Sequence, residues 1–384
     1  MIQKELNILY IITKLELGGA QKVCLTLFKG LANSGNNSIL MSGDEGVLVN
    51  EVKNSQNLIL LKNLKREVSF LNIFYEVKNF FSLIKEIKKI KKKYPDLIVH
   101  THSTKAGIIG RWAAFFANVK NRIHTIHGYA FHDHQNKILW FFIYFAELIT
   151  SLITTHFICV SSKDIQIGKK LFPGFSRKHS LIRAAVEWDK FYSGEKDVKP
   201  ARPEPVEGFE RFIFGTVSCF KKQKNLIDLF KAFKEVQKKF PNSILEVIGD
   251  GILRSELEQW IKENNLEKNI ILHGWQQNVA EIMLNWNVFV LTSLWEGLPC
   301  AIVEARLSKL PVIAYDTGGI SDVILHGKNG FLIKQKDWLS MANVMLKIIN
   351  DTSLYNNLKN YPQDLNEFKN SSMVEKHINL YQNF

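Results

Sequence analysis

Short apolar runs alternate along the whole chain with longer stretches whose apolar residues recur every three or four positions. The short runs are bounded by glycine or polar residues and read as strands buried on both faces; the longer stretches read as amphipathic helices. In the first half this predicts strands at Asn7–Ile12, Ser38–Met41, Leu58–Leu61, Leu97–His100, Arg122–Thr125, Phe157–Val160 and Ser180–Arg183. The pattern restarts at Arg211–Val217 and continues through Ile244–Ile248, Ile270–His273, Val288–Leu291 and Pro311–Ala314. Strands separated by helices imply parallel pairing, since a parallel neighbour is reached only by a crossover. The expected fold class is therefore α/β, with two Rossmann-like doubly wound domains facing across a cleft.

One segment breaks the alternation. From Ser193 to Phe209 charge is mixed and three prolines fall within the six residues Pro200–Pro205, which predicts an extended linker. The expected organisation is an N-terminal domain over 1–193, a linker over 194–210, a second domain over 211–365, and a final amphipathic helix within 366–384 that could pack across either domain. A second interruption is Ile138–Ile153, long and strongly apolar, yet with Glu147 in its middle and Thr154, Thr155 and His156 after it. A charge at that depth argues against a spanning helix. A helix packed into the core is the expectation, with contact to lipid or to a lipid-linked substrate as the alternative.

Composition narrows the function classes. The 384 residues carry 50 Lys and Arg against 37 Asp and Glu, a net charge of +13. Nucleic acid, anionic lipid and phosphorylated substrates all suit such a surplus. No nucleic-acid-binding module accompanies it, so no nucleic-acid partner is expected. The lysines of Lys85–Tyr94 surround a helix whose apolar side is Leu83, Ile84, Ile87 and Ile90, either a solvated face or a contact with an anionic membrane. Cys24, Cys159, Cys219 and Cys300 are scattered and form no CxxC pair, which predicts reduced, mostly buried thiols and a cytoplasmic protein. The first residues lack a signal-peptide layout.

Candidate chemistry lies at predicted strand ends, the binding edge of an open α/β sheet. In Ser293–Ala305, Glu296 and Glu304 stand eight residues apart, Glu296 at the carboxyl edge of a strand and Glu304 within the next helix. Amides of the turn from Gly297 through Leu298 and Pro299 to Cys300 suit an anion. Carboxylates for hydroxyls beside amides for phosphate describe a nucleotide-sugar site, although a surface glutamate and a helix glutamate would give the same spacing. Gly18-Gly19 marks a strand-to-helix turn without the fuller GxGxxG pattern, which speaks against a nicotinamide cofactor. His100–Arg111 clusters His, Ser, Thr and Lys at a strand end, and His127 precedes a glycine at the end of the next strand. Between Gly215 and Asn225 three lysines, Lys221, Lys222 and Lys224, occupy a strand-to-helix loop, where a cation can neutralise a departing diphosphate. Gly249-Asp250-Gly251 ends a buried strand, and Asp316–Val323 repeats a strand–Gly-Gly–helix pattern.

Together these motifs resemble the family-4 retaining glycosyltransferases of GT-B fold, and the resemblance runs over nearly the whole chain. It implies transfer of a hexose-type sugar from a nucleotide-diphosphate donor, a UDP-sugar first, to a glycan or lipid-linked acceptor in bacterial surface polysaccharide synthesis. It also implies a cytoplasmic enzyme, peripheral at the inner face of the membrane. By resemblance Glu296 contacts sugar hydroxyls and Glu304 the ribose, Lys224 and Gly18-Gly19 serve the diphosphate, and His127 faces the sugar. Gly249, Gly251, Gly297, Leu298, Pro299 and Cys300 support the donor. No metal or other cofactor is expected, because cations of the chain take that part, and no protein nucleophile is required. The sequence departs from the family at Cys219, where an arginine is usual, with Lys221 and Lys222 nearby as point charges. It departs again at Ala184-Ala185, where Asn-Gly is usual. The alternatives are a sugar-nucleotide epimerase of the same architecture and a non-catalytic nucleotide-sugar-binding protein.

Overall fold

The computed structural model describes residues 5–62, 64, 73–192 and 211–384. The chain divides into two compact units: residues up to Ala185 together with Asn366–Phe384, and Val186–Leu365. The proposed linker at 194–210 lies outside the described residues. The change of unit falls earlier, at Ala185/Val186, because the short helix Trp188–Phe191 already packs on the helix Cys300–Leu307 of the second unit.

The first unit is built on a parallel sheet of β1 (Asn7–Ile12), β2 (Asn37–Ser42), β3 (Leu58–Leu60), β4 (Ile98–His102), β5 (Asn121–Ile126), β6 (His156–Cys159) and β7 (His179–Leu181). Their order is β3-β2-β1-β4-β5-β6-β7. β1 pairs on one side with β2, Ile8 opposite Ser38, and on the other with β4, Ile8 opposite Ile98. Leu9, Ile11 and Val99 pack against Leu83 and Ile87 of the lysine-rich helix Ile73–Lys93 and against Ala113 of Thr104–Phe116. A second cluster gathers Ile126, Phe157, Phe172 and Phe175. Each such phenylalanine contributes about 1.5–3 kcal/mol over an exposed one. The helix Asn370–Tyr381 packs on Gly19–Asn33, where Gly30 leaves room for Val374, so this final helix belongs to the first unit.

The second unit carries β8 (Ile213–Val217), β9 (Ile244–Ile248), β10 (Ile270–Gly274), β11 (Val288–Leu291), β12 (Val312–Tyr315) and β13 (Gly330–Ile333), again all parallel, in the order β10-β9-β8-β11-β12-β13. β13 has no counterpart among the predicted strands. At the centre of this sheet a Cβ on Gly215 would lie 1.9 Å from the Trp286 ring, so the glycine is what admits a fully buried indole. The Trp286 Nε1–H donates to Glu246 at 2.8 Å.

The long apolar segment is the helix Lys137–Ile153. No helix among the described residues is long and apolar enough to cross a membrane. Glu147 turns inward, where Arg111, fully buried, donates to its Oε2 at 2.8 Å, to Gly107 O at 2.7 Å and to Thr154 Oγ1 at 2.9 Å. The expectation of a helix packed into the core is corrected on its other side. Ile138, Leu139, Phe141, Phe142, Phe145, Ile149 and Leu152 are exposed, Phe142 by 64% and Leu152 by 66%. Of the cysteines only Cys24 and Cys159 are buried; Cys219 and Cys300 are partly exposed.

Removing one partner of a satisfied buried ion pair strands the other charge. Glu147→Leu should therefore destabilise the first unit by about 3–5 kcal/mol, and Arg111→Met combined with Glu147→Leu should recover most of that loss. Calorimetric unfolding of the three proteins checks the expectation, which fails if the single variant melts like the wild type.

Candidate active site

In a doubly wound sheet the connections from two neighbouring strands diverge at the point where the strand order reverses, and a crevice opens at their carboxyl ends. In the second unit that point lies between β8 and β11. The chain leaving β8 carries Lys221, Lys222 and Lys224; the chain leaving β11 carries Glu296. The Lys224 ammonium rests directly on the Glu296 carboxylate, and both side chains are largely buried.

Glu296 does not sit at the strand edge, as the sequence suggested, but five residues past Leu291 in an irregular loop. Side chains from elsewhere hold that loop. Gln223 Nε2 donates to Trp295 O at 2.6 Å, while Thr317 Oγ1 and Gln335 Nε2 donate to Leu294 O at 3.1 and 2.9 Å. Thr292 Oγ1 donates to Lys224 O at 3.0 Å, tying the two loops together. After Lys224, Asn225 takes a left-handed conformation (φ 47°), and its side chain donates to Asp228 at 2.6 Å.

Behind Glu296 the backbone approaches closely. Gly318 has φ 54°, and a Cβ there would lie 2.1 Å from Glu296 O; Gly319 N–H donates to Gly297 O. Gly319 leads into a 3-10 turn, Ile320–Asp322, rather than the expected helix. On the other side, Gly249 (φ 127°) lies so close to Ser218 O that a Cβ would be 2.0 Å away, and Gly251 abuts Phe220. Asp250 between them accepts from Gly251 N–H and from Arg254. The helix Cys300–Leu307 starts after Pro299 with no side-chain cap, so the positive end of its dipole lies on the loop of Gly297 and Leu298, and Glu304 occupies its second turn. Cys219 stands partly exposed after β8. Lys221 and Lys222 are exposed in the same loop.

The reversal point of the first unit lies between β1 and β4. Gly18 is extended there and begins the helix Gly19–Asn33. Across from it, Thr13 Oγ1 and Ser103 Oγ lie 3.2 Å apart. Ser103 adopts φ 64°, ψ 156°, a region nearly confined to glycine that costs about 1–3 kcal/mol and marks functional turns.

The candidate histidines His100, His102 and His127 belong to this unit, and they lie deeper than their sequence positions suggested. His100, Thr101 and His102 lie within β4 and are fully buried rather than offered at its edge; His127 follows β5 and is partly exposed. His100 bonds Tyr381 OH at 2.6 Å and Thr125 Oγ1 at 2.7 Å. His102 Nδ1 meets His127 Nε2 at 3.0 Å. His377 completes the cluster, its ring centroid 5.8 Å from that of His100, with Nδ1 bonded to Met373 O at 2.8 Å. Burial first, then neighbouring imidazoles, holds His100 and His102 well below the usual histidine range; burial with His377 takes His127 down to about 3, and burial takes His377 to about 4. The cluster is neutral at physiological pH. Sequence reasoning missed His377 and Tyr381, since nothing local ties a final helix to β4, and it missed the loop anchors Gln223, Thr292, Thr317 and Gln335. Among the described residues no three His, Cys, Asp or Glu side chains gather as a metal site.

Comparison with known proteins fits this geometry. The family described as Glycosyltransferase Family 4 matches residues 17–179, and that described as Glycosyl transferases group 1 matches residues 199–364. The UDP-Gal:alpha-D-GlcNAc-diphosphoundecaprenol alpha-1,3-galactosyltransferase of Escherichia coli is 32% identical over 95% of this chain and 94% of its own length. The capsular polysaccharide biosynthesis glycosyltransferase CapM of Staphylococcus aureus is 26% identical over 84% of each chain. Among solved structures, Anabaena HepE in complex with UDP-glucose shares the fold with a TM-score of 0.79 at 17% identity, covering 99% of this chain and 100% of that one. These likenesses do not favour the epimerase or the non-catalytic alternative. With two Rossmann-like units of GT-B type and a relative this similar along its whole length, the chain belongs to the family-4 glycosyltransferases.

Proposed function

We propose that this glycosyltransferase moves a hexose-type sugar from a nucleotide-diphosphate donor, a UDP-sugar first, to a lipid-linked or glycan acceptor, with retention and without a metal. The observation that carries the reading is the Lys224–Glu296 contact at the strand-order reversal of the second unit. It sets a cation for phosphate oxygens beside a carboxylate for sugar hydroxyls. Glu304 then serves the ribose, and amides from Gly297 to Cys300 serve the donor with Gly249 and Gly251. In the reaction the bond from the anomeric carbon to the phosphate oxygen breaks. The acceptor oxygen attaches on the same face, and its proton passes to the leaving phosphate. Lys224, with Lys221 and Lys222 in place of the usual arginine, offsets the charge that develops there. The roles of His127 toward the sugar and of Gly18 and Gly19 toward the diphosphate belong to the same proposal. The named substrates of the relatives support a diphosphate-lipid or polysaccharide acceptor: a diphosphoundecaprenol sugar in one, capsular polysaccharide in another.

An acceptor in a bilayer calls for a surface that reaches it. The helices Ile73–Lys93, Thr104–Phe116 and Lys137–Ile153 lie side by side. Phe81 on the first and Phe115 and Phe116 on the second are exposed, as is the apolar side of the third. Lys88, Lys89, Lys92 and Lys93 are exposed on the first. Apolar side chains to bury and lysines to pair with headgroups suit an anionic bilayer. We take this as the peripheral membrane contact.

Three outcomes are expected. Glu296→Ala and Lys224→Ala should each lower turnover by about a hundredfold or more with the fold intact, as loss of a charge-stabilising group does; wild-type rates in both would sink the site assignment. Offered UDP-, GDP- and dTDP-sugars, the protein should hydrolyse or transfer from one class at a rate that chelator leaves unchanged, and a rate abolished by chelator and restored by a divalent ion would reject metal independence. Co-sedimentation with phosphatidylglycerol vesicles should exceed that with phosphatidylcholine, and Phe142→Ser with Phe145→Ser should weaken it; equal binding by the variant would exclude this face.

A further inference from the structure

A neutral imidazole carries one proton on two nitrogens, so a bond between two of them assigns both tautomers once one end is known. The His102 Nδ1 to His127 Nε2 contact of 3.0 Å is such a bond. His102 is fully buried, and its Nε2 has no hydrogen-bond partner among the described residues. If His127 Nε2–H were the donor, the His102 proton would sit on that buried Nε2 with nothing to accept it. If His102 Nδ1–H is the donor, the same position is a bare lone pair. Buried N–H groups without acceptors are the rarer and costlier case. The cluster supplies its own precedent: His377 Nδ1 faces the carbonyl of Met373 and must donate, which leaves its buried, unpartnered Nε2 bare.

We propose that His102 is a positioning residue that locks His127 as the Nδ1–H tautomer, so that the partly exposed edge of His127 presents a hydrogen-bond donor. His127 Nδ1 bonds no described residue, which leaves that N–H for a ligand oxygen. A sugar hydroxyl or phosphate oxygen accepts such a bond, and a group that needs a proton removed finds no base there. The role in catalysis rests on the donor-sugar reading of His127; the tautomer does not.

Two variants separate the effect from mere packing. In His102→Asn the side-chain amide nitrogen takes the place of Nδ1 and still donates, whereas His102→Leu fills the space without a donor. The Asn variant should keep kcat/KM within about threefold of the wild type, and the Leu variant should lose about tenfold, the equivalent of one hydrogen bond. In the full-length wild type, nitrogen-15 NMR of labelled histidine should find His127 protonated at Nδ1 and bare at Nε2 near neutral pH. A proton on Nε2 overturns the assignment whatever the rates. Equal losses in the Asn and Leu variants, or wild-type activity in the Leu variant, overturn the positioning role. If Glu296→Ala and Lys224→Ala are themselves silent, the donor-site reading fails while the NMR result still decides the tautomer.

Discussion

A strand in a parallel sheet cannot turn back to its neighbour; the chain must first cross a face of the sheet, so every strand ends at the same edge. The site depends on that constraint. The connections after β8 and β11 leave in opposite directions, and the space between them is where Lys224 meets Glu296. The first unit repeats the geometry at β1 and β4 with different contents: a strained Ser103 and a bank of imidazoles. The fold thus sets where polar side chains can gather, and the loop residues decide what they do.

Both edges depend on polar groups that are satisfied from a distance. The Glu296 loop has almost no regular structure, yet Gln223, Thr317 and Gln335 hold its carbonyls, and Gly318 lets the chain behind it press close. The imidazoles are kept neutral by burial, and a neutral imidazole is directional, a donor at one nitrogen and an acceptor at the other. Arg111 with Glu147 shows the complementary solution, a charge kept inside because each of its three nitrogens donates to an oxygen.

Parallel strands are buried on both faces, so they read as continuous apolar runs, and for that reason the strands through β12 were legible apart from a residue or two at their ends. β13 was not, because Phe331-Leu332-Ile333 is a brief run beside the turn residues Gly327–Gly330. Among candidate residues, Lys224, Glu296, Gly318 and Gly319 were legible as a group because each lies on a turn after a strand. The position of Glu296 within its loop was not, since the contacts that shape it come from residues up to 72 positions away. The partners of His100 were further from reach: Tyr381 is 281 positions along the chain. Hydrophobicity identified the helix Lys137–Ile153, but a run of apolar residues does not say whether protein covers them, and here one side remains open.

The order of the chain gives the first unit an unusual history. It is discontinuous: its sheet is encoded before the second unit and its helix Asn370–Tyr381 after it. During synthesis the second unit, contiguous in sequence, has all its strands available while the first still lacks Tyr381 and His377. Until they arrive, His100 has neither the Tyr381 hydroxyl at its Nδ1 nor the His377 ring stacked beside it. This segment, encoded after the second unit, thus acts as a closing stopper, making completion of the first unit contingent on translation of the entire second one.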